Sequence, residues 1–270
     1  MTHQDAYQND LAYIHDTGFG GFARSSAPGL LSLLRENGIT EGIVVDLGCG
    51  SGIWARALAD SGYEVVGVDI SPAMIEIARQ RVPQATFHVQ SFVEFPIPAC
   101  RAVTALGEVF NYLFDPKNSL RTLRRVCKGV FDALTPKGLL VFDVAAPGRC
   151  KGIEQRFMEG DDWTCLVELH QDVAKQRLTR RIASFRKVGD TYRRHEESHT
   201  QQLYPGVKIA EMLRDIGFRV RLMRSYGEFP LAERVVGVVA RKPEPRTGRT
   251  RNPEGHLPDG SRRPIRRRGG

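Results

Sequence analysis

Asp46, Gly48, Gly50 and Gly52 stand at alternate positions in V44-V-D-L-G-C-G-S-G52, where an apolar run ends and a helix-like segment begins. A backbone this bare turns sharply and brings its N–H groups close to a ligand, with the positive end of the next helix aimed at the same point. A purely structural turn also uses glycines, so a second signal is needed. It comes at the tip of the next apolar run, E64-V-V-G-V-D69, where Asp69 lies 19 positions after Gly50. An acid at this distance accepts hydrogen bonds from the two hydroxyls of a ribose.

The ligand is therefore a nucleoside of some kind. A dinucleotide fingerprint requires glycine at position 53, and Ile53 stands there. No G-x-x-x-x-G-K-[ST] run occurs, and the loop has no basic residue to meet a pyrophosphate. The loop suits a nucleoside with an amino-acid tail better than a phosphate.

Alternating elements must hold these residues. Apolar runs at 43–47, 65–68, 86–89, 103–106 and 139–142 read as buried strands. Helical periodicity separates the first two, follows position 68 and fills 117–134. Ser71 and Pro72 are placed as the N-cap and first residue of one helix. Leu120, Leu123, Val126, Val130 and Leu134 share a face of another. This order implies an α/β fold with a doubly wound parallel sheet. Ahead of it, residues 5–38 read as helix interrupted at Gly18, Gly20 and Gly21. The helix resumes with Pro28 near its first turn and stops at Gly38.

After Phe142 the pattern changes. Three strands without intervening helices are expected over about 162–204, with Gly189-Asp190 as a hairpin turn. In the last of them Arg193, His195, Glu197 and His199 share one face, and Arg194, Glu196, Ser198 and Thr200 the other. Either face fits a solvated surface or a pocket wall. A helix ending at Gly217 and two further strands follow.

The chain has 270 residues, with 41% hydrophobic and 26% charged residues, ordinary values for a soluble globular protein. No stretch is long and apolar enough to span a membrane, and the N-terminus lacks a secretory pattern, so a cytoplasmic location is expected. Five cysteines without a Cys-x-x-Cys pair are expected to be reduced. The net charge is +8, of which residues 243–270, with eight Arg against Glu244, Glu254 and Asp259, carry +5. That segment, rich in Pro, Gly and Arg, is expected to be a disordered basic tail. A nucleic-acid partner is open but not favoured.

D46-L-G-C-G-S-G52 followed by V66-G-V-D69-I-S resembles the class I S-adenosylmethionine-dependent methyltransferases, and the resemblance extends over about residues 10–242. It implies a Rossmann-like seven-stranded sheet with its last strand, about 233–241, antiparallel, and an inserted antiparallel cap. It implies S-adenosyl-L-methionine as cofactor. Asp46, Gly48, Cys49 and Gly50 would hold the methionine moiety, Asp69 the ribose, and Ile70 the adenine face. Ser91 and the Phe92 backbone would meet the adenine edge, where many members have an acid. Gly107 would let the chain pass close to the sulfonium. The segment T104-A-L-G-E-V-F-N111 lacks the Asn/Asp-Pro-Pro-aromatic motif of enzymes that methylate nucleic-acid bases, and no Pro-Cys pair is present.

The resemblance points to a small-molecule methyl acceptor at O or N. An RNA or protein acceptor assisted by the tail, and a cofactor-binding protein without turnover, are the alternatives. Methyl transfer needs alignment and exclusion of water, and a base only where the acceptor must lose a proton. The candidate bases are Glu108, His195 and His199, with Asn111 and Tyr112 beside the first. The N-terminal segment is expected to act as a lid, with Tyr13, Phe22 and Arg24 reaching the site and Arg24 meeting the cofactor carboxylate. No residue spacing indicates a metal.

Overall fold

A computed structural model describes residues 6–245. Much of the basic tail assigned to 243–270 therefore lies outside the described residues. Two helices come first, α1 (Asn9–Phe19) and α2 (Gly21–Glu36). The break falls at Gly20, as expected, but α2 starts earlier than expected and Pro28 lies inside it. Its apolar face, Ala27, Leu30, Leu33 and Leu34, is buried, and that packing outweighs the helix-breaking effect of one proline.

The sheet unit then runs β1 (Ile43–Leu47), α3 (Ile53–Asp60), β2 (Glu64–Asp69), α4 (Pro72–Arg81), β3 (Thr86–Val89), β4 (Cys100–Ala105), α5 (Leu120–Ala133) and β5 (Leu134–Ala145). Ser71 caps α4, accepting the Met74 N–H at 3.2 Å, with Pro72 in the first helical position. Leu123, Val126 and Val130 of α5 are buried, but Leu120 is 45% exposed, one turn too early to reach the sheet. β5 follows α5 without a loop, and its register against β4 shifts between Cys100 and Ala102.

The cap follows: β6 (Ile153–Glu159), β7 (Trp163–Asp172), β8 (Arg177–Val188) and β9 (Thr191–Gln202) form a four-stranded antiparallel sheet. Three strands are expected from the sequence. β6 is an edge strand with Ile153 and Phe157 exposed, so it lacks the buried alternation that marks a strand. The chain then forms α6 (Gly206–Ile216), β10 (Arg219–Met223), the short hairpin β11 (Ser225–Tyr226) and β12 (Phe229–Pro230), and β13 (Val235–Arg241).

The main sheet has the order β10-β13-β5-β4-β1-β2-β3, with β13 antiparallel to both neighbours and the other neighbouring pairs parallel. One cluster packs α5 and α6 against one face, around Leu123, Val130, Phe142 and Leu213. The other packs α2, α3 and α4 against the opposite face, around Leu34, Trp54, Leu58 and Ile75. Burying such a side chain contributes about 1.5–3 kcal/mol. The two layers fix the carboxyl ends of β1, β2, β4 and β5 side by side. The cap and α1 sit over those ends, tied by Tyr13 Oη donating to Asp162 at 2.9 Å and by Arg186 bonding Asp10 at 3.1 Å. All five cysteines are buried and unpaired. Among the described residues no helix is long and apolar enough to cross a membrane.

Candidate functional site

The loop from β1 to α3 explains its own glycines. Gly48, Gly50 and Gly52 have φ of +67°, +52° and +77°, a conformation that side chains resist. Their reasons differ. A Cβ on Gly48 would meet Val109 at 2.5 Å, and one on Gly52 would meet Ala78 at 3.0 Å. A Cβ on Gly50 would meet nothing within 4 Å, because that position lines a cavity. Gly48 and Gly52 serve packing; Gly50 leaves room for a ligand.

The cavity has a volume of about 620 Å³, within the ordinary size of small-molecule sites. The Gly50 N–H donates to Asp69 Oδ2 at 2.9 Å, and the Ser71 N–H donates to Oδ1 at 2.9 Å. Both carboxylate oxygens retain lone pairs for hydroxyl donors. Burial raises the Asp69 pKa, opposed by the Ser71 and Gly50 N–H groups. Asp46 accepts from Thr104 Oγ1 at 2.7 Å, and Thr104 accepts from Trp54 Nε1 at 3.1 Å, a relay that fixes the Asp46 carboxyl at the cavity floor. Burial pushes Asp46 up to about 7, against the Thr104 hydrogen bond and with the help of Asp69.

Asp46, Gly48, Cys49, Gly50, Asp69, Ile70, Ser91, Phe92 and Gly107 all line this cavity. Ser91 Oγ donates to Asp115 Oδ2 at 2.6 Å, so an acid stands behind the serine. The open cradle at Gly50, the acid at Asp69 and the apolar wall of Ile70 and Phe92 fit the nucleoside expected from the sequence. Arg24 is exposed and does not line the cavity, which corrects its placement against the cofactor carboxylate. Phe22 lines it; Tyr13 does not, being directed at Asp162 beneath Arg186.

Glu108 also lines the cavity, but in a different state from that of a base. Arg149 Nη2 reaches its Oε1 at 2.8 Å and Arg180 Nη2 its Oε2 at 3.0 Å, with Gln201 Nε2 at 2.9 Å. Burial favours its neutral form, yet Arg180 and Arg149 outweigh that and hold the carboxyl below its ordinary range. It is an anchor for two guanidiniums. Asn111, fully buried, is structural: it donates to Ala145 O at 3.0 Å and to Gln202 O at 2.6 Å.

The inward face of β9 is the one with His195, Glu197 and His199, and Glu197 and His199 are buried. Neither histidine lines the cavity. His199 Nε2 pairs with Glu197 Oε2 at 2.8 Å, and its ring packs on Tyr7 and Phe114, each 4.8 Å between centroids. Glu197 in turn accepts the N–H groups of Tyr7 and Gln8 at 2.9 Å. The pair holds the N-terminal strap in place and is shut off from the cavity by it. That corrects the reading of His195 and His199 as bases.

Sequence reasoning missed Tyr7, Arg149, Arg180, Phe229 and Asp143 as cavity residues. Asp143 has a legible signal: it closes the apolar run of β5 as Asp46 and Asp69 close those of β1 and β2. It accepts the Gly107 and Glu108 N–H groups, the latter at 2.6 Å, and the Tyr226 hydroxyl at 3.3 Å. These bonds hold the turn at Gly107 and Glu108, both at positive φ. Burial pushes Asp143 up to about 7, with the Gly107 N–H opposing.

Comparison with known proteins follows the same lines. A family profile described as a methyltransferase domain matches residues 44–130. The chain is 30% identical over 191 residues to a putative methyltransferase of Geobacillus sp. (strain WCH70), spanning 66% of this chain and 74% of that one. It is 32% identical over 144 residues to a dTDP-3-amino-3,6-dideoxy-alpha-D-glucopyranose N,N-dimethyltransferase of Streptomyces fradiae, spanning 52% and 55%. The crystal structure of an S-adenosylmethionine-dependent methyltransferase from Clostridium acetobutylicum ATCC 824 superposes with a TM-score of 0.75 at 18% identity, covering 87% of this chain and 99% of that one.

Proposed function

The chain belongs to the class I S-adenosylmethionine-dependent methyltransferases, and from that premise we propose that its acceptor is a small molecule methylated at oxygen or nitrogen. The observation that carries this is the aromatic wall of a cavity of small-molecule size, about 620 Å³. Phe19 and Phe22 from the N-terminal helices, Tyr112 and Phe114 after β4, and Phe229 from β12 wall it. The cap and α1 roof it and are tied together by Tyr13 and Arg186. A compact acceptor fits beneath the roof. The aminosugar N,N-dimethyltransferase among the relatives, whose acceptor is small, supports the same reading.

When bound, the cofactor supplies an activated methyl group for in-line transfer to a nucleophile. Asp69 and the Gly50 loop would hold its ribose end, and Asp46 its amino-acid end. Leu106 and Gly107 line the same cavity. The aromatic wall excludes water and limits the poses of the acceptor. Asp143 keeps the Gly107–Glu108 turn in register, so the acceptor meets a rigid surface. Alignment supplies the rate enhancement.

The test is an incubation of the purified protein with isotopically methyl-labelled S-adenosylmethionine and three separated cell fractions: low-molecular-weight filtrate, total RNA and total protein. Label is expected in the filtrate. Label in RNA or protein, with none in the filtrate, overturns the reading.

A further inference from the structure

We infer that the acceptor half of the cavity contains an anion subsite built from Arg149 and Arg180, so that the acceptor is a small acid carrying a carboxylate or phosphate on an apolar body. The inference rests on the small-molecule reading and narrows it.

The two arginines come from distant segments, the loop after β5 and strand β8, and both line the cavity. They share one counterion. Glu108 takes Arg149 on one oxygen and Arg180 on the other, and Gln201 also donates to it. Three donors on its two oxygens lock its orientation. The two guanidiniums, 20% and 17% exposed, thus share a single carboxylate as ion-pair partner, and an anion in the cavity would supply a second. Asp143, which lines the same cavity, turns its oxygens to the Gly107 and Glu108 N–H groups and to Tyr226, while both arginines pair with Glu108.

Donors are in surplus as well. A guanidinium has five N–H donors. Arg149 uses Nη1 on the Glu233 carbonyl at 2.8 Å and Nη2 on Glu108. Arg180 uses Nη1 on the Tyr112 hydroxyl at 2.8 Å and Nη2 on Glu108. Arg149 Nε is buried with no partner. Tyr112 accepts from Arg180 and so keeps its own proton to donate, with the Tyr7 hydroxyl 3.5 Å away. Planar forks beside hydroxyl donors match the geometry of a carboxylate or phosphate. The aromatic wall next to them suits an apolar body.

The probes are matched pairs, benzoate with benzamide and phenyl phosphate with benzyl alcohol. They are titrated by ligand-observed NMR into the full chain saturated with S-adenosylhomocysteine. The anionic member is expected to bind about tenfold or more tightly, through charge-assisted hydrogen bonds. Which anion is preferred separates carboxylate from phosphate. Added salt should erode the preference. Arg149→Met, on a loop at the cavity rim, should abolish it in a protein whose circular dichroism is unchanged. Equal binding of charged and neutral members, no binding by any member, or a preference that survives Arg149→Met overturns the inference. The small-molecule reading fails separately, on label found in RNA or protein.

Discussion

Asp69 and Gly50 are joined directly: the Gly50 N–H donates to Asp69 Oδ2 at 2.9 Å, tying the tip of β2 to the turn that leaves β1. One carboxylate therefore shapes the loop and faces the cavity. Asp69→Ala removes both functions. Affinity for S-adenosylhomocysteine should fall by about 1–3 kcal/mol, the cost of leaving polar partners unpaired. Isothermal calorimetry measures this, and an unchanged dissociation constant would remove the ribose assignment.

Gly50 and Gly48 should fail in different ways. Gly50→Val places a branched side chain into open cavity space at a φ of +52°, so the protein should fold with some strain and lose cofactor binding. Gly48→Ala drives a methyl into Val109 and should lower the melting temperature instead. Thermal unfolding alongside calorimetry separates the two. A Gly50→Val protein that binds normally would dismiss this loop as the site.

Asp46 should make cofactor affinity depend on pH. Burial raises its pKa to about 7, so near neutrality part of the population is protonated. A ligand ammonium favours the ionised form and lowers that pKa on binding. Affinity should therefore rise as pH increases through about 7 and level off above it, by at most about tenfold per pH unit for one proton. Asp46→Asn should flatten the profile. Calorimetry across that range in buffers of different ionisation enthalpy also counts the released proton.

Glu108 should behave as an anchor rather than a base. Glu108→Ala leaves two guanidiniums facing each other and should cost about 3–5 kcal/mol of stability, read from denaturant unfolding. Its folded-state pKa is depressed, so its stabilisation is present above the ordinary carboxylate range and is lost as pH falls through the lowered value. A pH–rate profile with a limb that disappears in Glu108→Gln would contradict this.

Glu197 should control the strap. Glu197→Ala removes the acceptor for the Tyr7 and Gln8 N–H groups and the partner of His199. Release of S-adenosylhomocysteine should quicken by about fivefold for each hydrogen bond of about 1 kcal/mol that is lost. Stopped-flow fluorescence of Trp54, which lines the cavity, provides the readout. An unchanged release rate would show that the strap does not gate the cofactor.

The fold, and the residues of the glycine loop and β2 that line the cavity, were legible in the sequence because their signals are local. Strand and helix periods repeat within a few residues, and Asp46 and Asp69 lie on two consecutive strands, with Gly48 and Gly50 in the loop that leaves the first, and the pairing of those strands follows from the alternation itself. Edge strand β6 escaped notice because exposure erases the period that burial imposes. The arginine-lined part of the cavity belongs to tertiary structure alone. Glu108, Arg149, Arg180 and Gln201 meet across β4, β5, β8 and β9, and no spacing along the chain encodes which side chains a cap brings together. The sequence identified Glu108 and His199 as titratable groups. Only packing turned the first into the counterion of two arginines and set the second behind Tyr7 and Phe114, where a charge or a ring is defined by its neighbours and not by its type.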